Sequence, residues 1–231
     1  MKVKWDTTVS ALLVVCALLT TSLVIYRTFM PSVTPRPQVE KRQARFISDW
    51  RSHLSEGILL GSSEAPVWIE EFADFECPFC ATFHKTLKAI RERYPKQVSV
   101  VFVHFPLPMH RFAVPAARVA ECAADQGRFE PMYDQLFDGQ EFFGLKPWSD
   151  YAKAAGIQDL KGFDDCVKSE EPILRVLKGK QLGTRLDVTG TPTLIVNGWL
   201  LGQPPSEEEL DTIVKAVLSG KVPVVGVGGP S

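Results

Sequence analysis

The chain has 231 residues, 45% of them hydrophobic and 23% charged, which is enough for one substantial buried core. Its 26 basic and 27 acidic residues give a formal net charge of -1 at pH 7. Because the chain has neither an excess nor a long run of basic residues, it lacks the electrostatic surface that nucleic-acid binding requires. We therefore predict no nucleic-acid partner.

Residues 7–26 carry no charged side chain and consist mainly of Leu, Val, Ile and Ala. That length and apolar character predict a helix that crosses a membrane, with residues 1–29 as a transmembrane anchor. A cleaved signal peptide is the alternative, but the apolar run is longer than a signal-peptide core and no small-x-small cleavage site follows it. Basic residues flank the run on both sides, so charge does not decide its orientation.

Residues 30–56 are predicted to be a linker followed by an amphipathic helix. The linker is rich in proline, which favours an extended spacer. Apolar side chains then recur at helical spacing, at Phe46, Ile47, Trp50 and Leu54. We therefore expect a helix over residues 39–55 whose aromatic face packs on the folded domain. At the other end, the glycine-rich residues 221–231 are predicted to be a flexible tail.

The pattern of residues 57–220 predicts an α/β domain. Residues 57–61 are typical of a short edge strand, and residues 67–73 of a central strand that leads into a helix. Residues 98–105 are rich in Val and Phe, which predicts a second core strand parallel to the first. Residues 114–187 have helical periodicity, so we predict an all-helical insertion there.

The pattern then returns to strands on both sides of Asn197 and Gly198, a pair that favours a two-residue hairpin turn. Ser206 is followed by three glutamates, which predicts the N-cap of a final helix. The domain is thus expected to end with a hairpin and a helix.

Cys77 and Cys80 form a Cys-Pro-Phe-Cys motif at the predicted junction of strand and helix. Free backbone N–H groups and the helix dipole stabilise a thiolate at a helix N-terminus, so Cys77 is the predicted nucleophile. Cys80 is one turn further on and shielded by the helix, so we expect it to resolve the mixed disulfide. Half of a zinc site is the alternative, but no second cysteine or histidine pair supplies further ligands. We predict no metal and no other cofactor.

Three motifs resemble, in their order, those of the DsbA-like thiol:disulfide oxidoreductases. They are Phe72-Ala73-Asp74-Phe75-Glu76-Cys77-Pro78-Phe79-Cys80, His104-Phe105-Pro106-Leu107 and Gly190-Thr191-Pro192-Thr193. The resemblance covers residues 57–218 and implies a thioredoxin fold with a helical insertion. It also implies a cis proline facing the cysteines, a role that falls to Pro192. The backbone of Thr191 would then pair with an extended substrate segment, beside Pro78 and Phe79.

Glu71 lies six residues before Cys77, where the family carries a buried acid beneath the resolving cysteine. A carboxyl buried there would have a raised pKa and could accept the proton of Cys80, making Glu71 a candidate proton shuttle. Glu70, one residue earlier, should point to the opposite face of the sheet. A solvated acid on an edge strand stays open as the alternative for Glu71, because alternation fixes the face only if the register is right.

Other ionisable residues near the motifs are given lesser roles. Negative charges beside Cys77 would disfavour its thiolate, so Asp74 and Glu76 are interpreted as local tuning. His104 and His110 have no evident acid-base partner in the sequence, and we predict structural roles for both.

The resemblance also implies an extra disulfide between Cys122 and Cys166. The two cysteines lie on the apolar faces of two predicted insertion helices. Two buried free thiols are the alternative.

The function that we expect is that of a thiol oxidase. The oxidised pair of Cys77 and Cys80 would accept electrons from thiols of an exported protein and leave it with a disulfide. By family analogy, a membrane partner linked to quinones would then re-oxidise the pair. A reductase fed by a membrane thiol reductase and a disulfide isomerase are alternatives with the same chemistry, and a tethered client-binding module is an alternative of another class.

Because such an oxidase needs an oxidising compartment, we expect a single-pass membrane protein with an extracytoplasmic catalytic domain. The periplasm and the cell surface both meet this requirement.

Overall fold

The computed structural model describes residues 7–29 and 44–223. The chain divides into two compact units, Met1–Lys41 and Arg42–Ser231. Residues 30–43, which contain the predicted linker and the start of the expected helix, and most of the tail expected over residues 221–231 lie outside the described residues.

The first unit contains helix α1, Thr7–Phe29. Thr20, Thr21 and Ser22 interrupt its apolar sequence with three successive hydroxyl groups. The hydroxyl of Thr20 donates a hydrogen bond to the backbone carbonyl of Cys16 at 2.9 Å. Among the described residues, no helix combines the length and the apolar character needed to cross a membrane. The predicted transmembrane anchor is therefore not supported by the structure.

The second unit is built on a six-stranded mixed sheet. Its strands are β1 Arg45–Phe46, β2 Ile58–Leu60, β3 Val67–Ala73, β4 Val98–His104, β5 Thr193–Val196 and β6 Trp199–Leu200. Their order across the sheet is β1-β6-β5-β3-β4-β2. β3 and β4 are parallel, as predicted, and the other neighbouring strands are antiparallel. β3 therefore lies in the centre of the sheet, and its C-terminal end is followed directly by the cysteine motif.

Seven α-helices and two short 3-10 helices accompany this sheet within residues 44–223. The α-helices are α2 Pro78–Arg93, α3 Ala113–Ala124, α4 Phe129–Asp138, α5 Trp148–Ala154, α6 Leu160–Lys168, α7 Leu174–Arg185 and α8 Glu207–Leu218, and the 3-10 helices are Trp50–Glu56 and Gln140–Phe142. Helices α3 to α7 all lie between β4 and β5, where the sequence predicts an all-helical insertion. α2 connects the parallel strands and carries the two motif cysteines near its start.

The structure describes residues 44–55 of the helix expected over residues 39–55, and these residues do not form one continuous helix. The expectation is therefore wrong for residues 44–55. Arg45–Phe46 pairs with β6 as an edge strand, and helical structure begins only at Trp50, in a 3-10 helix. The exposed edge of β6 offers unpaired backbone groups, so residues 45–46 gain hydrogen bonds as a strand. The expected packing occurs only in part, because Ile47 and Trp50 are buried whereas the side chain of Phe46 is 51% exposed.

The two adjacent glutamates of β3 are fully buried on opposite faces of the sheet. Glu71 points towards Tyr133 of α4. Glu70 points towards the 3-10 helix that starts at Trp50, and its Oε2 lies 3.6 Å from Nδ1 of His53. Burial, followed by the negative charge of Asp49, raises the pKa of Glu70 to about 8. The alternation predicted from the sequence therefore has the right register.

Candidate active site

The two motif cysteines lie at the N-terminus of α2. Cys77 is the N-cap residue, and Pro78 follows in the first turn, where its missing N–H leaves no hydrogen bond unmade. Both cysteines have free thiols and are buried, Cys80 completely. This is the arrangement that the sequence predicts, with one sulfur at the helix end and the other behind it.

The surroundings of Cys77 lower its pKa to about 5. The largest cause is a hydrogen bond from the thiol of Cys80, and the hydroxyl of Thr191 and the backbone N–H groups of Cys80 and Phe79 add to it. Burial acts in the opposite direction. Because a thiolate is the reactive form of cysteine, Cys77 is equipped to be a nucleophile at neutral pH.

Cys80 has the opposite electrostatic environment. Burial raises the pKa of its thiol far above the usual range, and the hydrogen bond to Cys77 and the negative charge of Glu71 act in the same direction. Cys80 therefore keeps its proton until a base removes it. An attack by its sulfur requires such a base nearby.

Glu71 is the buried acid that could serve as this base. Burial raises its pKa to about 8, a hydrogen bond from Tyr133 lowers it, and the negative charge of Cys77 raises it. The hydroxyl of Tyr133 donates to Oε2 of Glu71 at 3.3 Å. Oε1 of Glu71 is buried and has no hydrogen-bond partner in the described part of the chain. A carboxyl with these properties can exchange protons near neutral pH.

Thr191 and Pro192 form the loop immediately before β5 and face the nucleophile. The peptide bond between them is cis. Sγ of Cys77 lies 3.3 Å from the carbonyl oxygen of Thr191, within the donating distance of a thiol. Oγ1 of Thr191 is buried without a hydrogen-bond partner among the described residues, so it can donate to the thiolate of Cys77, an interaction that lowers the pKa of that thiol. The loop thus presents a carbonyl and a hydroxyl to the nucleophile.

An apolar cleft of about 370 Å³ adjoins this loop. It is lined by Phe79, Thr82, Phe83, Thr86, Pro192, Pro204, Pro205 and Ser206. The side chain of Phe79 is 73% exposed although it sits between the two cysteines in sequence. An exposed aromatic ring beside a reactive thiol is suited to contact with an apolar segment of another chain.

His104 and His110 each have an acidic partner in the structure that the sequence does not make evident. Nδ1 of His110 lies 2.7 Å from Oδ2 of Asp74. Nε2 of His104 lies 2.8 Å from Oε1 of Glu121. The partners are 36 and 17 residues apart in sequence, so no local pattern pairs them.

Asp74 and Glu76 also do more than tune the local charge. Asp74 accepts hydrogen bonds from the backbone N–H groups of Leu107 and Glu76, each at 2.8 Å. Glu76 accepts a hydrogen bond from the backbone N–H of Phe112. These bonds tie the loop before Cys77 to the loop that follows β4.

Gln140 fixes the same loop from the insertion, and nothing in the sequence singles it out. Its side-chain amide donates to the backbone carbonyls of Phe75, at 2.6 Å, and Cys77, at 3.0 Å. The backbone around the nucleophile is therefore held by the helical insertion as well as by β3.

Cys122 and Cys166 form a disulfide between α3 and α6. Their Cα atoms are 5.9 Å apart, a normal separation for a disulfide. Both helices belong to the insertion, so the bond links two of its elements without involving the cysteines of α2.

A family model described as Thioredoxin matches residues 53–216, most of the second unit. The chain belongs to the thioredoxin family. The predicted resemblance to DsbA-like thiol:disulfide oxidoreductases is thereby confirmed at the level of family and fold.

Two solved bacterial structures have the same fold. BdbD from Bacillus subtilis, in its oxidised form, has a TM-score of 0.65 and 20% identity, and covers 78% of this chain and 98% of its own. A thioredoxin-like oxidoreductase from Silicibacter pomeroyi has a TM-score of 0.60 and 22% identity, and covers 71% of this chain and 93% of its own. At these identities the likeness concerns the fold alone.

Two curated relatives of this chain have different names. The Na(+)/H(+) antiporter NhaA 1 of Mycolicibacterium vanbaalenii is 39% identical over 172 residues, which are 72% of this chain and 26% of that protein. The chain thus spans about a quarter of the length of the antiporter that it matches. The "Probable disulfide bond formation protein D" of Bacillus anthracis is 29% identical over 169 residues, covering 68% of this chain and 75% of that protein.

Proposed function

We propose that this chain is a thiol:disulfide oxidoreductase that introduces disulfides into exported proteins. The observation that carries the proposal is the opposite pKa shift of two thiols in one motif, lowered at Cys77 and raised at Cys80, with Glu71 buried beside them. One thiol is ready to exchange and the other is held back until a proton moves. The name of the Bacillus anthracis relative supports the same direction of chemistry.

The reaction begins with the oxidised pair. A thiolate of the client attacks Sγ of Cys77, the bond between Cys77 and Cys80 breaks, and Cys80 leaves as a thiolate that takes a proton from Glu71. A second client thiolate then attacks the client sulfur bound to Cys77. This forms the client's disulfide and releases the Cys77 thiolate, so two electrons have passed from the client to the pair.

The reduced pair must then be re-oxidised. We propose that a disulfide-bearing membrane partner, linked to quinones, accepts the two electrons, as the family resemblance implies. A partner that supplies electrons would instead make the chain a reductase. The exposed ring of Phe79, the apolar cleft and the backbone of Thr191 are the surfaces proposed to contact an extended segment of the client.

The stabilised thiolate favours the oxidase direction. Any interaction that stabilises the Cys77 thiolate stabilises the reduced form of the pair and so raises its reduction potential. The N-terminus of α2, the thiol of Cys80 and the hydroxyl of Thr191 supply such interactions. Phe79 supplies only its backbone N–H, because its side chain has no charge or donor.

Phe79→His is expected to raise the reduction potential. A histidine next to the thiolate can add a positive charge or a hydrogen bond that stabilises the reduced form. A further pKa decrease of one unit at Cys77 corresponds to on the order of 30 mV for this two-electron couple. The measurement is equilibration of the full-length chain with glutathione redox buffers, followed by quantification of the reduced fraction.

Phe79→Leu is the matched control, since it changes the size of an apolar side chain without adding a donor, and it should leave the potential unchanged. An unchanged or lower potential for Phe79→His would contradict the electrostatic account. A wild-type potential near thioredoxin's, about −270 mV, would replace the oxidase assignment with a reductase.

We also propose that the catalytic domain lies outside the cytoplasm, because an oxidase and the disulfide between Cys122 and Cys166 both need an oxidising compartment. An alkaline phosphatase fused after Ser231 is therefore expected to be active in cells. A cytoplasmic reporter fused at the same position should be inactive. The reverse pattern would contradict this location and the oxidase assignment with it.

A further inference from the structure

The hydroxyl of Tyr133 links the helical insertion to the buried acid of the site. Tyr133 lies on α4, is buried, and donates to Oε2 of Glu71 at 3.3 Å. Its ring is held in place by aromatic neighbours, with centroids 5.3 Å from Phe102 and 5.1 Å from Phe137. A side chain packed in this way has little freedom to turn its hydroxyl elsewhere.

The two oxygens of Glu71 are in different situations. Oε2 accepts the hydrogen bond from Tyr133, whereas Oε1 is buried without a hydrogen-bond partner in the described residues. A buried oxygen without a partner costs free energy, and a catalytic role is one reason for which proteins keep such a group. Cys80 is close enough for the negative charge of Glu71 to raise the pKa of its thiol. This thiol is a donor for the unpaired oxygen, and its proton must leave before its sulfur can attack.

We propose that Tyr133 is a positioning residue for the redox reaction, whose hydroxyl holds one oxygen of Glu71 so that the other exchanges a proton with Cys80. The proposal rests on the proposed function and adds a residue that the sequence does not single out. Tyr133 takes no part in the exchange of sulfur atoms or electrons, and it acts only through Glu71.

The step concerned is the re-oxidation of the pair through a mixed disulfide. The thiol of Cys80 gives its proton to Glu71, and its sulfur attacks Sγ of Cys77. The bond between Cys77 and the partner's sulfur breaks, the bond between Cys77 and Cys80 forms, and the partner leaves as a thiolate. Two electrons pass to the partner's disulfide, and Tyr133 keeps its proton throughout.

Tyr133 can only act as a neutral donor here. Burial, followed by the negative charge of Glu71, raises the pKa of its hydroxyl well above the usual value. A neutral donor stabilises a carboxylate more than a carboxylic acid, so the hydrogen bond lowers the pKa of Glu71. Removing the hydroxyl should therefore raise that pKa.

Other titratable and charged groups lie near this pair on α2 and α4. They are Cys77, Cys80, His84 and Arg91 from the motif and α2, and Asp134 from α4. The pKa of Cys77 is lowered to about 5, and burial lowers that of His84 to about 4. Neither changes ionisation near pH 8, where the inflection from Glu71 is expected.

The test is the pH dependence of the resolving step in the Tyr133→Phe variant. The reduced full-length chain is mixed with glutathione disulfide, and release of glutathione from the Cys77 mixed disulfide is followed between about pH 6 and 10. In the wild type the rate should rise through an inflection near pH 8, as Glu71 loses its proton. Tyr133→Phe should move the inflection up by about one pH unit and slow resolution roughly tenfold at lower pH.

Tyr151→Phe is the matched control. Tyr151 is also a fully buried tyrosine of the insertion, but its hydroxyl donates to the backbone carbonyl of Gly139 at 2.7 Å. Its loss should leave the inflection in place. In a Glu71→Gln background, which lacks the inflection, Tyr133→Phe should have no further effect on the rate.

An active wild type with an unchanged inflection in Tyr133→Phe would overturn the positioning role and leave the proposed function intact. A shift that persists in the Glu71→Gln background would also overturn it. A wild type that exchanges no disulfide would overturn both proposals. If Tyr133→Phe does not fold, 3,5-difluorotyrosine placed at position 133 keeps the ring and strengthens the donor. That substitution should lower the inflection, and no change would overturn the proposal.

Discussion

Cys77→Ser is expected to reduce thiol:disulfide exchange to the uncatalysed background, a loss on the order of 10³-fold or more. A serine hydroxyl is neither ionised at neutral pH nor able to form the mixed disulfide that every later step requires. All the interactions that lower the pKa of Cys77 would then act on a group that cannot use them. The measurement is the rate of oxidation of a reduced client by the full-length chain.

Cys80→Ser is expected to differ from Cys77→Ser in the product that accumulates. The nucleophile remains, but the sulfur that resolves the mixed disulfide is lost, so partners should stay covalently attached to Cys77. These adducts can be seen on non-reducing gels and disappear with reductant. Cys16→Ser is the control, since Cys16 is a free thiol on α1, outside the motif, and its substitution should leave the rate unchanged.

A Cys77→Ser protein that still restored function in cells would contradict the redox assignment. It would support instead the alternative of a client-binding module in which the cysteines are secondary. Cys77→Ser keeps Phe79 and the apolar cleft beside it. If this variant loses function, the cause is therefore the missing sulfur of Cys77 and not a lost contact with the client.

The features that the sequence predicts well depend on local geometry. Asn197 and Gly198 both adopt positive φ, 44° and 89°, as a tight hairpin turn requires. Ser206 caps α8 through a capping box with Glu209, and Cys77 occupies the N-cap position of α2. In each case the residue type that fits the geometry lies within a few positions of the element that it starts or joins.

The features that the sequence does not predict depend on which elements meet in space. Tyr133 lies 62 residues from Glu71, and Gln140 lies 63 residues from Cys77. Both come from the insertion, whose helical periodicity predicts its helices but not which side chains point at β3. The edge strand at residues 45–46 is not predicted for the same reason, since its hydrogen bonds depend on the exposed edge of β6.

The double variant Cys122→Ala with Cys166→Ala is expected to lower the free energy of unfolding by about 4 kcal/mol. The disulfide joins residues 44 positions apart, so its removal restores the loop entropy of that segment to the unfolded chain. The measurement is urea unfolding of the wild type and the double variant under non-reducing conditions. The loss should be seen as a lower midpoint.

The same variant should change the redox chemistry little in its folded state. The groups that set the pKa of Cys77 come from the motif and from Thr191, and none of them belongs to α3 or α6. The double variant is therefore expected to be less stable than the wild type and to have the same reduction potential. Cys16→Ala is the matched control and should lower neither. An unchanged midpoint would mean that the disulfide contributes nothing to stability, and a changed potential would mean that the insertion acts on the motif through this bond.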